Sequence, residues 1–333
     1  MKQFLLYILF TLFFWIENGN LYAQIKNKTT TRMWRVYEDN DFINVRGHGT
    51  DEAYTNGTRI DYFYTKNKKP SFIIDRLLPK AGDSSINIRG WGLTQLMYTP
   101  RDITAIKYQQ NDYNYSGALY VTHSLYAYNP ISKYSLQTEI LIGVRGPAAF
   151  AKQTQRFIHG LINYQKPMGW QNQLRNKLIL NINVAREKQV FSDGKFFEII
   201  GGIKISAGTL VNNATLYPLI RIGNISPYFN GLLNQYYASG EPKNNIKIYL
   251  TVKPQLEFTA TNALLTDGNI KTNDLNGSNA VNHKIEKSVY ALDAGIVLSI
   301  NRFSISFTQN WTGALLHNSY KHEVGNISLY FSR

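Results

Sequence analysis

Residues 246–258 read IKIYLTVKPQLEF. Ile246, Ile248, Leu250, Val252, Leu256 and Phe258 fall on one side of an extended chain. Lys247, Tyr249, Thr251, Lys253, Gln255 and Glu257 fall on the other. Side chains alternate between the two faces of a strand, so this is the pattern of a β-strand with one apolar and one polar face. The same alternation recurs at Leu178, Leu180, Ile182 and Val184 against Lys177, Asn181 and Asn183. It returns at Ile327, Leu329 and Phe331 against Asn326 and Ser328. Twelve such segments are expected, near 32–42, 55–66, 86–98, 115–127, 132–145, 172–186, 195–207, 209–223, 245–259, 284–300, 302–312 and 323–332. Several exceed ten residues, long for a globular strand and suited to a tilted strand that crosses a bilayer. A soluble barrel places its apolar residues inside. A polar inner face with an even strand number predicts an all-β fold, a twelve-stranded antiparallel transmembrane barrel of the outer-membrane type.

Composition agrees with that reading. The 333 residues are 44% hydrophobic and 14% aromatic, with 23 Tyr, but only 17% charged. So low a charge content is unusual for a soluble chain, and so high an aromatic content excludes disorder. Cys is absent, which excludes a disulfide scaffold, a thiolate zinc site and a thiol nucleophile. The formal net charge of +14 points to a polyanion. No basic helix or RNA-binding motif supports nucleic acid, so an anionic membrane surface or lipopolysaccharide phosphates are the expected partner. Lys2, the apolar run Phe4–Ile16 and Leu21-Tyr22-Ala23 before Gln24 read as a secretory signal peptide over 1–23, leaving 24–333 as the barrel domain. No later apolar run is long enough for a spanning helix.

One stretch breaks the alternation. Residues 148–164, AAFAKQTQRFIHGLINY, follow Gly146-Pro147 and are helix-like, with Phe150, Phe157 and Leu161 at helical spacings. Following the fifth strand, this helix belongs in a loop opposite the chain termini, the extracellular side of a bacterial barrel. Three polar clusters converge on that end: Glu38-Asp39-Asn40-Asp41-Phe42, Asp51-Glu52-Ala53-Tyr54-Thr55-Asn56-Gly57, and Gln155 with His159, four apart on one helix face. Carboxylate and amide oxygens suit a hard cation, Ca²⁺ or Mg²⁺, and a histidine can act as general base. Together they suggest metal-assisted hydrolysis. The same residues are equally compatible with solvated acidic loop tips, an Asn-Gly hairpin turn and a surface histidine.

The ordered motifs resemble the lipid A 3′-O-deacylase family of outer-membrane barrels. The matching stretches are Asp39-Asn40-Asp41-Phe42, Asp51 through Tyr54-Thr55-Asn56-Gly57, Gln95-Leu96-Met97-Tyr98-Thr99-Pro100 and Asp112 through Tyr120. Gly143 through Ala148, Gln155 to His159 and Gly169 through Leu174 follow in order. The match covers residues 32–185, and beyond it only the strand pattern agrees. The resemblance implies a twelve-stranded barrel and a Ca²⁺-dependent esterase acting on lipid A of lipopolysaccharide, its site facing the outer leaflet, with no obligate protein partner. It carries the family's site onto Asn40, Asp41, Thr55 and His159. The family lysine aligns with Ala105, and Lys107, two residues on, is its expected substitute. Asp112-Tyr113 replaces the more usual Asp-Arg, and Arg145 stands at a normally small or apolar position. On this reading His159 takes a proton from water, and Asp41 with Asn40 holds Ca²⁺. The cation and Lys107 face the oxyanion, Thr55 braces the site, and Gln155 orients His159 or a ligand. Lys152 and Arg156 meet the substrate's phosphates. The competing readings are a catalytically silent barrel and an outer-membrane phospholipase, whose Ser-Arg-Ser stretch the chain lacks.

Overall fold

The computed structural model describes residues 31–45, 51–65, 72–238, 246–266 and 283–333. The expected signal peptide lies outside the described residues. Twelve strands form one closed antiparallel barrel. They are β1 (Arg32–Asn40), β2 (Ala53–Thr65), β3 (Ile86–Thr99), β4 (Ser116–Asn129), β5 (Tyr134–Arg145), β6 (Lys177–Ser192), β7 (Phe197–Gly208), β8 (Val211–Gly223), β9 (Ile246–Asn262), β10 (Ser288–Ile300), β11 (Phe303–Thr312) and β12 (His322–Ser332). Each strand pairs with its sequence neighbours, and β1 closes the ring against β12 from Met33↔Ser332 to Asn40↔Gly325. Closure leaves no unpaired edge. Among the described residues three short α-helices lie in the loops: α1 (Ile74–Leu77), α2 (Ala151–Leu161) and α3 (Leu232–Gln235).

The alternation fixes what faces where. Ile246, Ile248, Leu250 and Phe258 of β9 are all about half exposed on the outer wall. Tyr249, Thr251, Lys253, Gln255 and Glu257 of the same strand line the lumen. Register then pairs lumen charges across strands. Lys253 lies opposite Asp293 and forms an ion pair at 3.0 Å. Asp61 receives both Arg35 at 2.6 Å and Arg59 at 2.8 Å, and Arg59 reaches on to Glu139 at 2.7 Å. Glu139 is therefore an interior ion-pair partner.

The lumen encloses about 730 Å³ between two filled mouths. At the end of the termini, α3 and its flanks enter the barrel. Tyr236 stacks on Tyr330 with ring centroids 3.7 Å apart, and Tyr228 donates to Glu187 at 2.8 Å. At the opposite end Tyr98, Tyr113, Leu264, Leu265 and Leu316 form an apolar cluster. Arg145 staples that rim by donating to the carbonyls of Ala263 at 2.7 Å and Arg175 at 3.0 Å.

The strand ends depart furthest from the expected segments at the sixth strand, while β1 stops at Asn40 and β10 begins only at Ser288. The sixth segment is expected at 172–186, but β6 runs from Lys177 to Ser192. Gly169–Asn172 is instead a 3₁₀ turn, held because Gln171 and Asn172 both donate to the carbonyl of Ile106 at 2.9 Å.

Candidate active site on the outer wall

Helix α2 follows β5 through a 3₁₀ turn at Pro147–Ala149 and lies on the outside of the barrel. On β3 the residues Trp91 and Leu93 are exposed while Ile88 is buried in a lumen cluster. Gln95 shares the outward parity of Trp91 and Leu93, and its amide donates to the carbonyl of Ala149 at 2.6 Å. Outward-facing Gly117 of β4 admits the helix, since a Cβ there would collide with the Ala151 methyl. Met97, Tyr115, Ala151 and Trp170 complete this outer cluster.

The helix is polar towards the barrel and apolar away from it. Ala151, Gln155 and His159, each four apart, are buried. Phe150, Phe157 and Leu161 lie on the opposite side, 55%, 65% and 46% exposed. A helix lying against a water-exposed surface buries its apolar stripe instead.

Between α2 and the wall a chain of polar contacts ends at an imidazole–carboxylate pair. The Trp170 indole donates to the Gln155 carbonyl oxygen at 2.7 Å. The Gln155 amide nitrogen donates to Asp51 Oδ1 at 3.3 Å. The other oxygen, Asp51 Oδ2, faces His159 Nε2 at 3.5 Å. His159 Nδ1 lies 2.6 Å from the Gln165 carbonyl oxygen. A carbonyl only accepts, so Nδ1 carries the proton and neutral His159 presents its lone pair at Nε2. Tyr164 meets the imidazole edge-on, with centroids 5.1 Å apart. Burial works against the charged imidazolium. The bond to Asp51 and the Gln165 carbonyl outweigh it, so the His159 pKa lies above its ordinary value.

The strand ends supply the remaining groups. Asp41, fully buried, accepts the Glu52 backbone N–H at 2.8 Å, and its own N–H donates to the Thr55 carbonyl at 3.3 Å. Asn40 Oδ1 accepts the Phe42 N–H at 2.8 Å and closes the turn after β1. Thr55 sits where the β2–β3 register slips between Tyr54 and Asn56. A bulge of this kind redirects one side chain. The Thr55 hydroxyl lies 2.7 Å from that of Thr99, which donates to the Asp51 carbonyl at 2.9 Å. Two residues past Asp51, Ala53 is held at φ 58°, a left-handed conformation that costs a non-glycine residue about 1–2 kcal/mol.

Five of the six residues expected from the sequence are thus brought together: Asn40, Asp41, Thr55, Gln155 and His159. The sixth, Lys107, is exposed, and no hydrogen bond or ion pair joins it to the others among the described residues. Its loop packs against the Trp170 turn, with Met168 N–H donating to the Ile103 carbonyl at 2.8 Å and Gln171 and Asn172 to that of Ile106 at 2.9 Å. The partners that sequence reasoning missed are Asp51 and Trp170. Both stand inside the quoted motifs, but nothing in their spacing assigns them to His159. Among the described residues no group of three or more His, Asp or Glu side chains is close enough to cage an ion. The donors that Asp41 and Asn40 offer are oxygens, the type a hard cation takes.

The sequence profile of the outer membrane protein LpxR family matches residues 5–333. A search of curated proteins finds no match. Among solved structures, LpxR from Salmonella typhimurium superposes with a TM-score of 0.70 at 16% identity, covering 90% of this chain and 99% of that one. The β domain of the Bordetella autotransporter BrkA gives 0.41 at 8% identity, covering 92% and 100%. The translocator domain of the autotransporter NalP from Neisseria meningitidis gives 0.38 at 9%, covering 92% and 89%.

Proposed function

Since this chain belongs to the LpxR family of outer membrane proteins, we propose that it is a lipid A deacylase. It hydrolyses an acyl ester of lipopolysaccharide, the 3′-O-linked acyloxyacyl chain, at the outer-leaflet end of its outer wall. The observation that carries this reading is the inverted polarity of α2. Gln155 and His159 point at the wall beside Asp51, while Phe150, Phe157 and Leu161 point away from it. A site so placed meets a lipid ester without drawing its chains out of the membrane.

His159 acts as general base. Its free Nε2 takes a proton from water, and the water oxygen attacks the ester carbonyl. The imidazolium that forms lies against Asp51 Oδ2, which stabilises the charge. The proton then passes to the leaving alkoxide, releasing a fatty acid and the lipid alcohol. The Gln165 carbonyl fixes the tautomer, and Gln155, locked by Trp170, orients Asp51. Thr55 and Thr99 hold the Asp51 backbone in place. By donor type Asp41 and Asn40 would be the residues to hold Ca²⁺. When bound, the cation supplies positive charge for the developing oxyanion. Lys152 and Arg156 on α2 are the basic groups for the substrate's phosphates.

A second reading, a catalytically silent barrel, is favoured by Ala105 standing in place of the family lysine, with exposed Lys107 joined to no other site residue by a hydrogen bond or ion pair among the described residues. Mass spectrometry of lipid A from cells with and without the gene separates the two. Loss of one acyl chain, abolished by His159→Ala and by EDTA, supports the deacylase. Identical lipid A from both strains refutes it.

A further inference from the structure

We propose that the segment from Phe72 to Leu77, including α1, is a membrane anchor. It seats in the acyl region of the lipid leaflet at the end of the barrel that carries the termini. A buried ion cluster on the outside of the wall holds it there.

Parity identifies the wall. Arg89 of β3 shares the outward parity of Trp91 and Leu93, which are 42% and 49% exposed. His123 of β4 pairs with Trp91 in register and shares the face of exposed Val121. Two ionisable side chains therefore stand at positions that a barrel of this class turns to lipid. A bare cation facing lipid there is destabilising. Asp75 of α1 covers both. Its Oδ2 lies 2.9 Å from Arg89 Nε and its Oδ1 2.7 Å from His123 Nε2. All three residues are at least nine-tenths buried. Phe72 closes the edge of the cluster, 5.3 Å from the His123 ring and 6.1 Å from that of Trp91.

The cover extends along the wall. Leu125 and Ala127 have the outward parity of His123, yet both are buried, as are Leu78 and Ala81, which follow the segment. The Asn129 amide donates to the Ala81 carbonyl at 3.0 Å and pins the return. So residues 72–81 of the β2–β3 connection lie over the outside of β3 and β4. They turn the Asp75 carboxylate to the wall and leave Ile73 and Leu77 68% and 77% exposed. A loop standing in water has the reverse polarity. This is the inversion seen in α2, on the same two strands, at the other end.

Depth agrees with a membrane seat. Trp91 precedes Thr99, beside the candidate site, by eight positions. At about 3.4 Å per residue and a tilt of about 40° that is a descent of about 21 Å. The apolar band of such barrels is about 25 Å tall. Phe72, Ile73 and Leu77 thus continue the bare wall of Trp91, Leu93 and Val121, and the occupant of that face is lipid. This inference needs the barrel to be in a membrane but not the deacylase activity.

The chain has no cysteine, so single spin labels can be placed at will. Ile73→Cys and Leu77→Cys, labelled in phospholipid vesicles, are compared with Leu93→Cys on the bare wall and Lys195→Cys in an exposed turn. Heat-modifiable gel migration verifies the barrel in each. The expected ratio of oxygen to nickel-chelate collisions at 73 and 77 matches that at 93 and is several-fold above that at 195. A ratio matching 195 overturns the anchor. So does exclusion of both reagents, which means that a second copy or a soluble protein covers the face. Adding Asp75→Ala to the Ile73→Cys protein is expected to shift the label towards nickel contact, and an unchanged ratio overturns the role of the ion cluster.

Discussion

Replacing Asp51 by Asn isolates the charge that faces His159. Three influences act on the imidazole. Burial disfavours the imidazolium, while the Asp51 carboxylate and the Gln165 carbonyl favour it, and the balance raises the pKa. At 3.5 Å a full ion pair has a ceiling of about 5 kcal/mol at an effective dielectric constant of 20. The Asn amide keeps the shape and a hydrogen-bonding group but removes the charge, so the His159 pKa falls, by less than that ceiling allows. As a base His159 must be unprotonated at Nε2, so kcat/KM declines as pH drops through its pKa. The acid limb of the wild-type profile therefore lies above the ordinary histidine value of about 6.5. In Asp51→Asn it moves below wild type, and the plateau drops because the weaker base accepts a proton less readily. The assay is initial-rate hydrolysis of purified lipid A in detergent between pH 5 and 9. An NMR titration of labelled His159 gives the same pKa without turnover. The sign for stability follows. A raised folded-state pKa stabilises fully below about 6.5 and not above the folded value. The wild type should therefore exceed Asp51→Asn in urea resistance more at pH 5.5 than at pH 8.5. An acid limb and an NMR pKa that stay in place in Asp51→Asn refute the imidazole–carboxylate pair.

Trp170→Phe keeps the ring in its outer cluster but removes the donor to Gln155. Loss of that bond, about 1–2 kcal/mol, should lower kcat by about tenfold with little change in KM, read from steady-state kinetics. Gly117→Leu places a side chain where α2 meets the wall. It should abolish deacylation while the barrel keeps its heat-modifiable migration. Asp61→Ala leaves Arg35 and Arg59 without their shared lumen carboxylate. Unpairing buried charge costs about 3–5 kcal/mol, seen as a lower urea midpoint with the lipid A specificity unchanged.

The barrel was legible because period-2 alternation survives wherever a wall separates two solvents. Lys253 and Leu250 announce opposite faces without any knowledge of the neighbouring strands. The site was legible only where its geometry is local. Gln155 and His159 share a helix face by spacing alone, and α2 bears them on that face. The acidic partners could not be sorted in this way. Glu38 faces outward and binds the Thr58 hydroxyl at 2.7 Å. Its neighbour Asp39 faces the lumen, where it accepts Tyr37 at 2.6 Å and Asn326 at 3.0 Å. Asp51 goes to His159. Glu38 and Asp39 of one motif and Asp51 of the next thus serve three sites, and they are distributed only once the barrel is closed. Thr55 depends on a register slip against β3, and Ala53 on a left-handed turn. Neither leaves a mark in residue type. The alternation also missed the meaning of Phe150, Phe157 and Leu161, which mark the face of α2 turned away from the protein.

That outward face joins the fold to the proposed chemistry. The lumen is a scaffold, crowded with ion pairs and filled at both mouths by Tyr236 with Tyr330 and by the cluster around Tyr98 and Leu265. The outside of β3 and β4 offers the opposite conditions. It carries apolar wall at Leu93 and Val121, α2 at one end and the Asp75 strap at the other. Each of these elements buries its polar groups against the strands and presents apolar residues outward. A hydrolase acting on a membrane lipid has to keep a general base hydrated and charge-compensated beside hydrocarbon. Setting His159, Asp51 and Gln155 between a strand wall and a helix with its polarity reversed meets both demands. On the proposed mechanism the lipid would stay in its leaflet and the base in a polar seam.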